Sequence, residues 1–212
     1  VASKFHHEEL YRGADVLARL GGASLTLCGA GALGSHLADN LVRQGVRRLR
    51  VIDDDRVAPH NVSTQLYGDA DVGGRKVDVL RNRLYRTVGV EIEAIGKRLT
   101  DRTARPMLKD CGLIVDVFDN SASRRQVQET SRELGLPCLH VGLAADYCEV
   151  IWDEIYRVPG DPPGDACDYP LARNLILLAV AIASETIVRF LIDGARHSWS
   201  ATLRDFAVRP FE

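Results

Sequence analysis

Leu25-Thr26-Leu27-Cys28-Gly29-Ala30-Gly31-Ala32-Leu33-Gly34 reads as a short apolar strand that runs into a glycine turn and out into a helix. In that turn Gly29 permits a tight bend, Gly31 lets the backbone approach a phosphate, and Gly34 lets helix and strand pack closely. The helix, predicted from about Leu33 to Gln44 and stopped by Gly45, aims its N-terminus at an anion. A second strand, Leu49 to Ile52, then ends in Asp53-Asp54-Asp55, completing a βαβ unit. Asp53 follows Gly29 by 24 residues, at a strand end where a carboxylate accepts both ribose hydroxyls of a nucleotide. On these residues NAD and ATP both fit, and a plain packing turn beside surface aspartates is the bland alternative.

On the N-terminal side, Lys4 to Leu20 carries Phe5, Leu10, Val16, Leu17 and Leu20 at helical spacing, a leading helical segment (residues 1–22) interrupted by Gly21-Gly22. Beyond the βαβ unit, the polar connection Arg56 to Val72 is too long for an ordinary loop and is expected to be functional. Then come a helix from about Gly74 to Thr87, a strand over Glu91 to Ile95 and a short helix over Thr103 to Leu108. A strand over Leu113 to Val117 ends at Phe118-Asp119-Asn120, and Ser121 is expected to cap the next helix, to about Leu134. Cys138 to Val141 is a fifth strand, and Cys148 to Tyr156 has the β-branched and aromatic content of further extended structure. Residues 158–168, rich in Pro, Gly and Asp, predict a mobile surface loop. Asn174 to Ile192 predicts a long apolar helix, and Ser198 to Val208 a last strand. The alternation of strands and helices predicts one α/β domain over residues 1–212. It is Rossmann-like, with a mostly parallel central sheet flanked by helices and antiparallel strands added toward the C-terminus.

The bulk properties exclude several classes of function. A formal charge of −2 leaves no basic footprint for nucleic acid. The clean apolar stretch Leu175 to Ala183 is shorter than the roughly 20 residues of a membrane span, and no secretory segment opens the chain, so a cytoplasmic setting is expected. Five scattered cysteines, Cys28, Cys111, Cys138, Cys148 and Cys167, argue against a disulfide framework. None forms a C-x-x-C pair and the histidines lack matching spacing, so no zinc is expected. Cys28, Cys111 and Cys138 read as core thiols, and His140 as a satisfied core histidine. Trp152 and Trp199 read as packing residues.

The stretch beyond the second strand separates the two nucleotides. A nicotinamide enzyme needs little there, whereas this chain offers Asn61, Gln65, Val72-Gly73-Gly74-Arg75-Lys76 and Asp119-Asn120. A lysine supplies a point charge for phosphates, and a carboxylate at a strand's C-terminal end holds a Mg²⁺ that bridges them. Singly, Lys76 is better explained as a solvated helix residue, and Asp119 as a helix cap.

Taken in order and spacing, the pattern resembles the ThiF/MoeB/HesA family and the related ubiquitin-activating enzymes. The resemblance spans the glycine loop, the Leu49 to Val57 strand end, Asn61 to Gln65, Val72 to Lys76 and Asp119-Asn120. It implies an ATP-dependent adenylyltransferase that activates the C-terminal carboxylate of a ubiquitin-like or sulfur-carrier protein ending in Gly-Gly, or of a peptide, and works as a homodimer. It further implies nucleotide contacts from Gly29, Gly31, Ala32, Gly34, Asp53, Asp55, Asn61, Gln65, Lys76 and Asn120, with Asp53 on the ribose, Asn61 and Lys76 on phosphates and Asp119 on Mg²⁺. Arg12 lies near where family members offer an arginine to the partner subunit. Cys167 aligns with a cysteine that in some members bonds covalently to the activated carrier.

The chain departs from the family pattern in three places. The arginine of N-x-x-R-Q is Thr64 here, the Gln65 to Val72 connection is shorter, and the zinc-binding C-x-x-C pairs are absent. Arg12, Arg75 or Arg173 are the candidates to replace the missing guanidinium. Two other readings stand beside the enzyme: a nucleotide-binding scaffold that lost turnover with the arginine and recruits a partner, and an NAD-dependent oxidoreductase.

Overall fold

The computed structural model describes residues 3–160 and 170–211. Its centre is β1 (Ser24–Cys28), paired in parallel with β2 (Arg48–Ile52) on one side and β4 (Leu113–Asp116) on the other. β3 (Glu93–Ile95) adds in parallel outside β2, and β5 (Cys138–Ala144) outside β4. Among the described residues, β6 (Tyr147–Trp152), β7 (Trp199–Thr202) and β8 (Val208–Pro210) extend the same sheet in antiparallel fashion, giving the order β3-β2-β1-β4-β5-β6-β7-β8. The fold is therefore the expected α/β, Rossmann-like arrangement with antiparallel strands toward the C-terminus.

Because successive strand residues point to opposite faces, each central strand feeds two cores. Leu27, Val51, Val115 and Leu139 pack with α3 (Ala32–Arg43), α4 (Lys76–Val88) and α7 (Arg173–Asp193) on one face. Cys28, Ile52, Ile114 and Cys138 pack with α5 (Ala104–Leu108) and α6 (Ser121–Leu134) on the other. β1 and β4 are buried along almost their whole length because helices cover both of their faces, and Thr26 and Asp116 are the polar side chains enclosed with them.

Four sequence expectations are corrected. The leading helix is two helices, α1 (His6–Arg12) and α2 (Ala14–Gly22), broken at Gly13, which takes φ +89°. The cap of α6 is Asn120, whose Oδ1 accepts from Ser123 N at 2.9 Å, so Ser121 is already the first helical residue. The last strand is two strands, β7 and β8, with Phe206 at φ +56° in the turn between them. Finally, α7 as a whole is long and apolar enough to cross a membrane, with a mean hydropathy of 2.2 over its best window. More than half of that window is buried in this chain, where α7 packs on α3 and the β5–β7 strands as a core helix does. Of the predicted loop at 158–168, residues 161–168 lie outside the described residues.

Candidate active site

The strand order reverses direction between β1 and β4, and the C-terminal ends of these two strands open a crevice there. The glycine loop fills its floor. Gly29 adopts φ +113° and packs on Val117, while a Cβ on Gly34 would stand 2.0 Å from the Gly29 carbonyl oxygen. Helix α3 can approach β1 this closely only because position 34 has no side chain. The loop is braced from behind: Ala30 N donates to Asp53 Oδ2 at 2.7 Å, and Tyr67 Oη donates to Ala30 O at 2.7 Å. Asp53 Oδ1 accepts from Asp55 N at 2.8 Å. Burial pushes the Asp53 carboxyl above the ordinary carboxylate range, against Lys76 and the two backbone amides, which favour its charge.

In front of the loop lies a cavity of about 480 Å³. Gly31, Ala32, Gln65, Lys76 and Asp119 of the expected site all line it. Lys76 opens α4, is buried, and donates from Nζ to Asp55 Oδ2 at 2.8 Å, so its ammonium is not the solvated group of the bland reading. Asp119 is exposed at the end of β4, beside the α6 cap, with Asn120 Nδ2 3.4 Å from its Oδ1. Gln65 is buried, and among the described residues its Oε1 has no hydrogen-bond partner.

Asn61 is buried, but its Oδ1 caps the turn at residues 59–61 by accepting from Ala58 N at 2.8 Å, and it does not line the cavity. The next segment of chain is tied to α3, through Ser35 Oγ accepting from Leu66 N at 3.0 Å and His36 Nε2 at 3.1 Å from Thr64 O. Of the three candidate arginines, Arg173 reaches this segment, donating to Ser63 O at 3.2 Å. Arg75 lines a separate cleft beside β3, and Arg12 is paired within its own chain to Glu8 and Glu185, each at 2.8 Å. Cys167 lies outside the described residues.

Two wall residues escaped the sequence reading: Arg124 and Glu149. Arg124, on α6, is buried and donates to Tyr156 Oη and Val141 O, both at 2.9 Å, with Asp116 at 3.6 Å. Burial opposes its charge, yet Asp116 and Tyr156 raise its pKa above the ordinary arginine value. Its position one helical turn after Asn120 was the available signal, but the partners that fix it come from β4, β5 and the segment after β6. Beneath it sits His140, fully buried as expected, stacked on Tyr156 and lying 2.8 Å from Asp116 through Nδ1 and 3.2 Å from Asp153 through Nε2. Among the described residues no three His, Cys, Asp or Glu side chains converge on a metal-sized site. Asp119 is the exposed carboxylate of the cavity nearest the end of β4, and a hard cation bound there would need its remaining oxygen ligands from other groups.

Comparisons with known proteins agree with this architecture. The model of a family described as the ThiF family matches residues 7–185. The Bacillus subtilis sulfur carrier protein ThiS adenylyltransferase is 30% identical, with 92% of this chain and 62% of that protein covered. The Thermus thermophilus sulfur carrier protein adenylyltransferase is 39% identical over 56% of this chain and 45% of its own length. This chain thus spans less than two thirds of either relative. Among solved structures, E. coli MccB with MccA-N7isoASN superimposes with a TM-score of 0.84 at 15% identity, covering 100% of this chain and 72% of that one. PaaA superimposes with a TM-score of 0.79 at 19% identity, covering 99% and 72%. At these identities the likeness is one of fold.

Proposed function

The chain belongs to the ThiF family, and from that premise we propose that it is an ATP-dependent adenylyltransferase acting on the C-terminal carboxylate of a sulfur-carrier-like protein or a peptide. The observation that carries this reading is the convergence of Gly31, Gln65, Lys76 and Asp119, from four separate segments, on one cavity that continues to the β5–β6 hairpin. The loop amides at the start of α3 face the phosphates, and Lys76 supplies the point charge. Asp119 would hold Mg²⁺, whose charge would help neutralise the phosphates. Gln65 Oε1 accepts from the nucleotide, and Asp53 orders the loop while keeping lone pairs for ribose. A peptide carboxylate lying along the hairpin attacks the α-phosphorus through one oxygen, the bond to pyrophosphate breaks, and an acyl-adenylate forms. No general base is needed, because the attacking group is already ionised at neutral pH. Alignment and charge stabilisation are the protein's contribution.

Cys167 is the thiol we assign to a subsequent acyl transfer with loss of AMP. It stands four residues before Leu171, which lines the cavity, and four residues reach at most about 14 Å. A homodimer in the cytoplasm completes the proposal; the exposed Leu10 and Tyr11 of α1 offer it an apolar contact. One observation favours the scaffold reading instead: Thr64 brings no guanidinium to the cavity, and Arg124 is already engaged by Tyr156 and Val141.

ATP–pyrophosphate exchange with carrier and peptide tails decides between them. Exchange in wild type, lowered at least about 100-fold by Asp119→Ala and by Lys76→Ala, is the expected result. Tight ATP binding with no exchange for any tail would establish the scaffold.

A further inference from the structure

The two ends of the cavity differ in chemistry. The nucleotide end carries Lys76 and Asp119, whereas the hairpin end is walled by Gly142, Leu143, Ala144, Tyr147 and Leu171, with Glu149 as its one carboxylate among the described residues. Glu149 faces Gly142 across the antiparallel ladder, and a Cβ on Gly142 would stand 3.2 Å from Glu149 Oε1. The space left by the absent side chain is where Glu149 lies, so its carboxylate is laid along the cavity wall and is partly buried.

Its charge is met at a distance by Arg124 and His140 but by no ion pair among the described residues. The guanidinium of Arg124 in the same cavity is ion-paired to Asp116, and Glu149 forms no ion pair with a described residue. Burial raises the Glu149 pKa, with Arg124, His140 and the Tyr147 hydroxyl working in the opposite direction. A tail that passes the hairpin to reach the nucleotide end removes further water from this carboxylate. An unpaired charge stripped of water is costly, and the cost falls when the incoming chain supplies a cation and grows when it supplies another carboxylate.

We infer that Glu149 is a specificity-determining residue that selects tails carrying a lysine or arginine side chain shortly before the terminal carboxyl group and rejects acidic ones. This rests on the reading of the cavity as the place where a peptide carboxylate meets ATP. Specificity of this kind needs a repulsive element as well as an attractive one, and a single carboxylate supplies both.

The test uses peptides identical except for Lys, Gln, Gly or Glu placed in turn at each of the positions just before the last residue. Binding is read by isothermal titration calorimetry, and pyrophosphate exchange is measured on the same samples. Wild type should bind the Lys tail at least about tenfold more tightly than the Glu tail at the position that meets the hairpin. Glu149→Gln should bring that ratio close to one, and Glu149→Lys should invert it. Because the ratio is taken within each variant, a smaller folded fraction cancels. Equal binding of Lys and Glu tails by wild type, no binding of any tail, or a ratio that both substitutions leave unchanged overturns the assignment. A ratio that moves as expected while exchange is missing with every tail upholds the selectivity and removes the adenylation reading. Exchange without a Lys preference does the reverse.

Discussion

Gly34 has no room for a side chain. Its Cβ would fall 2.0 Å from the Gly29 carbonyl oxygen and 2.7 Å from the Gly29 carbonyl carbon, both backbone atoms that cannot swing aside. Gly34→Ala must push α3 off β1 or break the turn, and we expect a loss of about 2–3 kcal/mol in urea unfolding together with weakened ATP binding. His140 carries the second prediction at this scale. A neutral imidazole has one N–H, yet both ring nitrogens of His140 face carboxylates, which calls for the imidazolium. Burial lowers its pKa, but Cys138, Asp116 and Asp153 overcome that and push it up to about 11, while burial is likewise outweighed at Asp153, whose carboxyl is brought down to about 2 by His140, Arg132 and Gln128. Linkage between protonation and folding fixes the signs. The stability from His140 is complete below its ordinary value of 6.5 and is lost as pH rises through about 11. That from Asp153 is present above 3.8 and is lost as pH falls through about 2. Nitrogen NMR at pH 8 should find both ring nitrogens of His140 protonated, and a neutral tautomer there would contradict the network. His140→Gln should flatten the alkaline side of the stability curve.

At the scale of elements, α6 orients the proposed metal ligand through its cap. Asn120→Ala removes the bond to Ser123 N and should cost about 1 kcal/mol in denaturant unfolding. It should lower exchange less than Asp119→Ala does, because the carboxylate itself survives; an equal loss would mean that the cap, not the charge, matters. The same helix marks how far the sequence could be read. The glycine turn, the Asp53 strand end and the alternation of strands and helices were legible because each rests on a local signal of turn chemistry or periodicity. Asn120 against Ser121 was not, since both are good caps and the backbone geometry chooses between them. The break at Gly13 and the turn at Phe206 were missed because a single residue with positive φ leaves the apolar pattern around it intact. Arg124 and Glu149 stayed hidden for a different reason: Arg124 is fixed by tertiary partners on β4, β5 and the segment after β6, and Glu149 by the register that sets it opposite Gly142, neither of which leaves a local pattern in the sequence. Cys28, Cys138 and His140, by contrast, were correctly read as interior, because apolar neighbours surround each of them in the sequence.

At the scale of the molecule, the parallel half of the sheet supplies the nucleotide floor and the antiparallel half supplies the wall along which a tail would lie, with one cavity joining them. That junction is what the proposed chemistry requires, because carboxylate and α-phosphorus must meet in line. The most direct measurement tracks the oxygen. A peptide tail whose terminal carboxyl group carries ¹⁸O is incubated with ATP, the acyl group is captured by hydroxylamine, and the released nucleotide is weighed by mass spectrometry. Attack by the carboxylate on the α-phosphorus leaves one ¹⁸O in AMP, and this is the result predicted for wild type and abolished in Asp119→Ala. Unlabelled AMP, or ADP in its place, would contradict it.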